Sequence, residues 1–166
     1  MTFVQPAITP KLRCLAMTAA ALALVGCAGQ VGPAVTEVSL PPPEVPPAIR
    51  AQEILGRWGY AAYHKPDDRG RTEVAARNQC RQPVNIAAGP SGGVLMYPAD
   101  SNKLEEMRMK GAAGGKTFVG PPGPAGSGQD REITSFDGRV MTMRFVDSEV
   151  AGRYGVGVYV RCAPRA

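Results

Sequence analysis

Residues 133–145 read ITSFDGRVMTMRF and predict a β-hairpin. The pair Asp137-Gly138 stands between the two arms and supplies the positive φ angles that a two-residue turn needs. In the second arm Met141, Met143 and Phe145 fall on one face, which is the alternation of a strand with one buried side. An antiparallel sheet is therefore the expected framework of this part of the chain.

Short turn signals recur on both sides of this hairpin and separate a series of apolar runs. Together with the hairpin they predict strands at 57–63, 83–88, 94–99, 104–110, 116–119, 131–136, 139–146 and 154–162. Residues 66–79 predict a helix, which Asp67 or Asp68 is placed to cap, and residues 48–55 predict a short helix ending at Gly56. The expected fold class is mainly β, a small antiparallel barrel or strongly curved sheet with one helix between its first two strands.

The same alternation predicts which side chains form the core. They are Trp58, Tyr60, Met141, Met143, Phe145, Val156, Val158 and Val160. In the last strand Cys162 shares a face with the three valines, so the sequence places it inside the core.

The N-terminal residues have the three regions of a secretory signal. Lys11 and Arg13 precede an uninterrupted apolar run at 14–25, and small residues follow it. The run is shorter than the roughly 20 apolar residues that a membrane-spanning helix needs, so an export signal is the better interpretation.

The run ends in Leu24-Val25-Gly26-Cys27, which resembles the lipobox of bacterial lipoproteins. That resemblance implies cleavage before Cys27, diacylglycerol on its thiol and acylation of the new amino terminus, with palmitate-like chains as the anchor. It also implies that Ala28, in place of the Asp that retains lipoproteins at the inner membrane, sends the protein to the periplasmic face of the outer membrane. Ordinary signal cleavage after Ala28, which would release the protein into the periplasm or medium, remains the alternative.

The expected organisation is a signal peptide at 1–26, a lipidated Cys27 with a proline-rich linker at 27–48, and a globular domain at 49–166. The linker holds six prolines and almost no charge, so it favours extended polyproline II chain of about 3.1 Å per residue. Such a segment predicts a spacer between the lipid and the domain.

Charge and cysteine content narrow the partners. The formal charge of +5 is mild, and basic residues alternate with acids instead of clustering, so nucleic acid is an unexpected partner. The membrane and an envelope protein are the expected ones. Of the four cysteines, Cys14 belongs to the signal and Cys27 to the anchor, which leaves Cys80 and Cys162 to form a disulfide in an oxidising compartment.

Several motifs suggest catalysis without the context that it needs. Residues 89–93 match G-x-S-x-G, but a strand follows them and His64 precedes Ser91, so a hairpin turn is the better interpretation. Residues 111–117 approach a P-loop but are one residue short and lead into a strand. The acids Glu105 and Glu106 fall on a strand. We therefore expect no catalytic residues, no metal site and no cofactor.

The glycine- and proline-rich residues 111–128 predict a mobile loop, because they lack a strand-like or helical pattern over much of their length. Long loops often carry function. This segment is therefore the first place at which a partner contact is expected.

The sequence Gly56-Arg57-Trp58, with Arg161 in the last strand, resembles the Gly-x-Trp signature of lipocalin-like barrels. The resemblance implies that the late arginine packs over the tryptophan. Periplasmic protease inhibitors with such a barrel share the Gly-x-Trp opening and a disulfide.

The first functional expectation is a non-enzymatic envelope lipoprotein with an interaction or structural domain; the alternatives are an inhibitor of an exported hydrolase and a small-ligand binder. An apolar cavity would favour the binder, and a filled core the other two.

Overall fold

A closed barrel of eight antiparallel strands forms the framework of residues 44–163, which are the part of the chain that the computed structural model describes. The strands are β1 Gly56–Tyr63, β2 Val84–Ala88, β3 Val94–Met96, β4 Glu105–Ala112, β5 Lys116–Gly120, β6 Arg131–Phe136, β7 Val140–Phe145 and β8 Val156–Arg161. Each strand pairs with the next in the chain, and β8 closes the barrel against β1. The predicted mainly-β, barrel-like fold is confirmed. Cys27, the predicted signal peptide and residues 28–43 of the predicted linker lie outside the described residues.

Three α-helices accompany the barrel: α1 Ala51–Ile54, α2 Arg69–Asn78 and α3 Ser148–Tyr154. The helix predicted at 66–79 is confirmed as α2, with a 3-10 turn before and after it. Its predicted capping is wrong, because Asp68 makes no capping hydrogen bond and pairs with Arg71 at 2.8 Å. Helix α3 was not predicted. Its cap is Asp147, whose carboxylate accepts from two backbone N–H groups at the start of the helix.

The hairpin of β6 and β7 is present, but its turn lies one residue later than predicted. Phe136 is the partner of Met141, which makes Gly138-Arg139 the central pair of the turn. The Asp137 carboxylate accepts from the N–H groups of Arg139 and Val140 at 2.8 and 2.6 Å. This bonding holds Asp137 in the position before the turn, so only Gly138, at φ 84°, needs a positive φ angle.

The two ends of the barrel differ. The closed end is formed by α1 and the short turns at 89–93, 113–115 and 137–139. The open end is formed by the longer connections, which are the α2 segment, the β3–β4 loop at 97–104, the β5–β6 loop at 121–130 and the α3 segment. The chain reaches the barrel at the closed end, where Val45 forms a β-bridge with Gly111.

Apolar side chains fill the interior from the closed end upward. The buried members of this cluster are Ala51, Ile54, Trp58, Ile86, Val94, Met96, Met107, Val119, Ile133, Met141, Met143 and Tyr159. The predicted core residues Trp58, Met141 and Met143 belong to it, and Tyr60 packs against it while partly exposed. The interior next to the closed end is therefore occupied by packed apolar side chains.

A second, smaller cluster lies on the outer face of the barrel and corrects the prediction for the last strand. Val158 and Val160 pack there against Ala76 of α2, whereas their neighbour Tyr159 faces the interior. Both faces of β8 are buried because α2 covers the outside, so alternation alone could not identify the inner face. The predicted core residues Phe145 and Val156 are only half-buried.

The disulfide between Cys80 and Cys162 is present, with a Cα–Cα distance of 5.5 Å. It joins the turn after α2 to the residue after β8, so Cys162 lies beside the helix on the outer face of the barrel. The prediction that Cys162 lies in the interior core is therefore wrong. The closed loop spans 82 residues, for which the chain-entropy model gives a stabilisation of about 4 to 5 kcal/mol. The covalent bond therefore fixes α2 against the strand that closes the barrel.

Arg161 connects the elements that form the closed end of the barrel. Its guanidinium lies 4.2 Å from the centre of the Trp58 ring. The same group donates hydrogen bonds of 2.6 to 2.8 Å to the carbonyls of Glu53, Leu55 and Gly138. The Trp58 Nε1–H donates to Ile54 O at 2.9 Å. One side chain therefore joins α1, the first strand and the β6–β7 turn.

Arg161→Met is expected to lower the free energy of unfolding by about 3 kcal/mol, because it leaves three carbonyls without their donor and removes the cation from the indole face. The matched control is Arg139→Met, at an exposed position in the neighbouring turn, with an expected change within about 0.5 kcal/mol. Urea unfolding followed by fluorescence of Trp58, the one tryptophan of the chain, measures both. Equal effects of the two substitutions would contradict the role given to Arg161.

Candidate functional site

The main cavity of the described residues lies at the open end of the barrel. It has a volume of about 780 Å³ and is lined by inward-facing strand residues and by the β3–β4 loop. A second cavity of about 280 Å³ adjoins it beneath the β5–β6 loop, and the two share Pro98, Ala99, Asp100, Arg131 and Phe145. We call the two together the mouth pocket. Pockets that hold small molecules commonly have volumes of about 300–1,000 Å³.

The floor and walls of the mouth pocket are largely apolar. Met96 and Met143, both buried in the barrel core, form the floor. The rings of Tyr60 and Tyr159 lie above them with centroids 4.9 Å apart. A Cβ atom at Gly157 would lie 2.9 Å from the Tyr60 ring, so the missing side chain there gives the two rings their space. The two rings therefore give this part of the pocket a flat, apolar surface.

Arg131 lines both cavities of the mouth pocket, as Asp100 does; Lys103 lines the larger cavity and Asp147 the smaller one. Its guanidinium lies 4.7 Å from the centre of the Phe145 ring and donates to Tyr97 O at 2.5 Å. No ion pair involves Arg131 within residues 44–163. The pocket thus contains a cation that the described residues do not neutralise.

The two tyrosines of the pocket keep their phenols neutral. Burial raises the pKa of Tyr159 to about 12, and the charge of Arg131 opposes part of that rise. Burial also raises the pKa of Tyr60, again against the charge of Arg131. At neutral pH both phenols therefore carry their protons and offer O–H donors beside a guanidinium.

Asp100 holds the β3–β4 loop across one side of the mouth. Its carboxylate pairs with Arg153 of α3 at 3.0 Å and accepts the hydroxyl proton of Tyr154, a hydrogen bond that raises the pKa of Tyr154. Asp100 has φ 59°, an unusual angle for a residue other than glycine. Tyr97 and Leu104, at the two ends of this loop, are about half exposed and give the rim an apolar edge.

The β5–β6 loop is held by a buried ion pair, which corrects the prediction of a mobile segment for its second half. Lys110 Nζ lies 2.5 Å from Asp130 Oδ1, and both side chains are almost fully buried. The other oxygen, Asp130 Oδ2, accepts from the N–H groups of Gly126 and Ser127. Lys110 also donates to Pro121 O and Pro124 O, so the proline- and glycine-rich chain is fixed from within. The first half of the predicted loop forms the end of β4, a turn and β5.

The residues that suggested catalysis either have structural roles or lie at opposite ends of the barrel. Ser91 lies in the β2–β3 turn at the closed end, whereas His64 is exposed just beyond β1 at the other end. The Glu106 carboxylate accepts from Gly93 N–H and Ser91 N–H, which lowers its pKa. The P-loop-like residues form the hairpin turn between β4 and β5. The structure therefore does not assemble these residues into one site.

Residues 44–163 contain neither a group of side chains suited to a metal ion nor a helix that could span a membrane. No three His, Cys, Asp or Glu side chains in that range are placed to share a metal ion. None of the helices within it has the length and apolar character required to span a membrane.

Comparison with known proteins identifies no relative of this chain. No family model, no curated protein and no solved structure matches it. Functional inference therefore rests on the geometry of its own residues.

Few features of the sequence indicate the mouth pocket. Arg131 begins a strand in the sequence Arg131-Glu132-Ile133, where an exposed arginine is the ordinary interpretation. Its position becomes distinctive only when closure of the barrel places it beside Tyr60 and Tyr159, which lie far from it in the chain. The loop at 97–104 has no motif that would have indicated a rim.

Tyr159→Phe is expected to remove one phenol that ionises near pH 12 in the folded protein, readable as phenolate absorbance in the near ultraviolet. The pKa of Tyr159 in the folded protein is raised from its ordinary value near 10, so its protonated phenol contributes fully to the free energy of unfolding below about pH 10. That contribution is lost as the pH rises towards 12. Over that window the wild-type protein should lose about 2 to 3 kcal/mol of stability more than the variant does. Superimposable titration and stability curves would contradict the burial of this phenol.

Proposed function

We propose that the chain is a non-enzymatic lipoprotein of the cell envelope, anchored through Cys27, whose barrel binds a small apolar molecule in the mouth pocket. The observation that carries the binding function is a cavity of about 780 Å³ with apolar and aromatic strand residues on its inner side and the polar β3–β4 loop on its rim, next to an interior packed with apolar side chains. Of the functions expected from the sequence, a small-ligand binder is the one that such a cavity favours.

The course of the chain is compatible with tethering at one end and binding at the other. Residues 44–50 approach at the closed end, where Val45 pairs with Gly111 and the Ile49 N–H donates to Thr117 Oγ1 at 3.2 Å. The mouth pocket opens at the opposite end. A linker joined to the closed end leaves the entrance to the pocket unobstructed by its own attachment point.

A second candidate is inhibition of an exported hydrolase. The packing of Arg161 over Trp58, together with the disulfide, supports the resemblance to lipocalin-like inhibitor barrels. Residues 44–50 lie against the barrel, so the inhibitory segment would have to be a rim loop or residues before them. Titration of the purified protein against a panel of exported proteases separates this candidate from the binder, because stoichiometric inhibition that survives filling of the mouth pocket would favour the inhibitor.

The binding function predicts that filling the mouth pocket abolishes uptake of a neutral apolar fluorophore, N-phenyl-1-naphthylamine. Ala99→Trp places an indole in the region shared by the two cavities, and its expected effect is at least a tenfold loss of affinity. Ala113→Trp, in the closed-end turn, is the matched control and should bind as the wild type does. Fluorescence titrations of the detergent-solubilised mature wild type and of both variants are compared against the same micelle background. Equal curves for all three proteins would rule out the mouth pocket as the binding site.

The anchor predicts that the protein stays with the membrane in high salt and incorporates labelled fatty acid, whereas Cys27→Ala does not incorporate it. Two or three acyl chains bind through about 0.8 kcal/mol per buried CH₂, which salt does not weaken, while attraction of a mildly basic domain to anionic lipid is screened. Membrane fractionation with and without a salt wash measures the difference. Release of the wild-type protein by salt would contradict the lipid anchor and indicate a freely diffusing protein.

A further inference from the structure

We infer that the ligand of the mouth pocket is a small apolar carboxylate, an aromatic body carrying one acidic group that Arg131 recognises. This inference rests on the proposed binding function and adds the chemical class of the ligand. It is carried by the position of an uncompensated guanidinium among aromatic and methionine side chains.

The contacts that Arg131 already makes leave most of its donors free for a ligand. A guanidinium has five N–H donors, of which one is used on Tyr97 O and another lies within hydrogen-bond reach of the Tyr159 hydroxyl, while one face of the group covers Phe145. A cation in a partly desolvated pocket is costly unless an anion neutralises it. The fork of N–H groups matches a carboxylate, which it binds through two parallel hydrogen bonds.

The acidic side chains nearest to the pocket are committed elsewhere. Asp100 is bound to Arg153 and Tyr154, and the Asp147 carboxylate caps α3. Glu132, next to Arg131 in the chain, pairs with Lys116 at 3.1 Å. None of these three carboxylates is paired with Arg131, so the position of its counter-ion is open to a ligand.

The surroundings of Arg131 specify the rest of the ligand. The protonated phenols of Tyr60 and Tyr159 offer O–H donors to the same acidic group. Their ring faces, with Phe145 and Met143, provide flat apolar walls for an aromatic body. A neutral apolar molecule would fill these walls but leave the guanidinium uncompensated.

The test compares two probes of the same shape, 2-naphthoate and 2-naphthamide, which differ in one negative charge. Isothermal titration calorimetry of the full mature protein should give a dissociation constant at least tenfold lower for the carboxylate. In Arg131→Gln the two constants should agree within about twofold. Arg139→Gln makes the same change of charge at the closed end and should keep the full preference.

Two further variants test how the shape of the Arg131 side chain and the charge of Asp100 affect the preference for the carboxylate. Arg131→Lys retains the charge without the planar fork and should keep a reduced preference for the carboxylate. Asp100→Asn weakens the hold on the β3–β4 loop and removes a negative charge from the lining of both cavities, so it should increase the preference for the carboxylate. Thermal unfolding followed by circular dichroism establishes that each variant is folded.

The outcomes distinguish the inference from the function on which it rests. Equal binding of the two probes by the wild type, or equal loss of preference in Arg131→Gln and Arg139→Gln, overturns the assignment of a carboxylate. If N-phenyl-1-naphthylamine still binds in a manner sensitive to Ala99→Trp, the binding function stands and only the ligand class is wrong. If neither naphthalene probe nor the fluorophore binds, both are wrong.

Discussion

The Arg161 guanidinium packs against the Trp58 indole and closes one end of the barrel. It joins the last strand to the first at the point where the barrel closes, and its hydrogen bonds reach α1 and the β6–β7 turn. A cation held against an aromatic face in a partly buried site, with carbonyls satisfying its donors, is strongly stabilising. This contact closes one end of the barrel, and the mouth pocket lies at the other.

The outer face of the barrel reinforces this closure. Helix α2 buries Val158 and Val160 on the side of β8 that does not face the interior, and the disulfide fixes the helix to the end of that strand. The strand that completes the barrel is thus packed on both faces and covalently held. A scaffold of this kind keeps the residues of the mouth pocket in place without help from a ligand, which lowers the entropic cost of binding.

Much of the fold, and little of the site, was readable from the sequence. Period-two alternation and turn residues located all eight strands, because those signals are local. The signal failed at β8, whose two buried faces look alike, and at α3, where a short capped segment after Asp147 carries too few residues for a helical period. The Lys110–Asp130 ion pair and the pairing of Arg131 with the two tyrosines depend on contacts between strands, which a single sequence does not display.

Comparison of the two basic residues in the β4 and β6 strands shows why only one of them indicates a ligand. The side chains of Lys110 and Arg131 both reach the loops of the open end, but Lys110 is buried whereas Arg131 is partly exposed. Lys110 has a carboxylate at 2.5 Å and two carbonyls as acceptors, so its charge is fully used to hold the β5–β6 loop. Arg131 has one carbonyl and an aromatic ring, with no carboxylate among the described residues. The fold therefore neutralises the buried Lys110 and leaves the partly exposed Arg131 facing the mouth pocket, where an anion would give it the carboxylate partner that Asp130 gives Lys110.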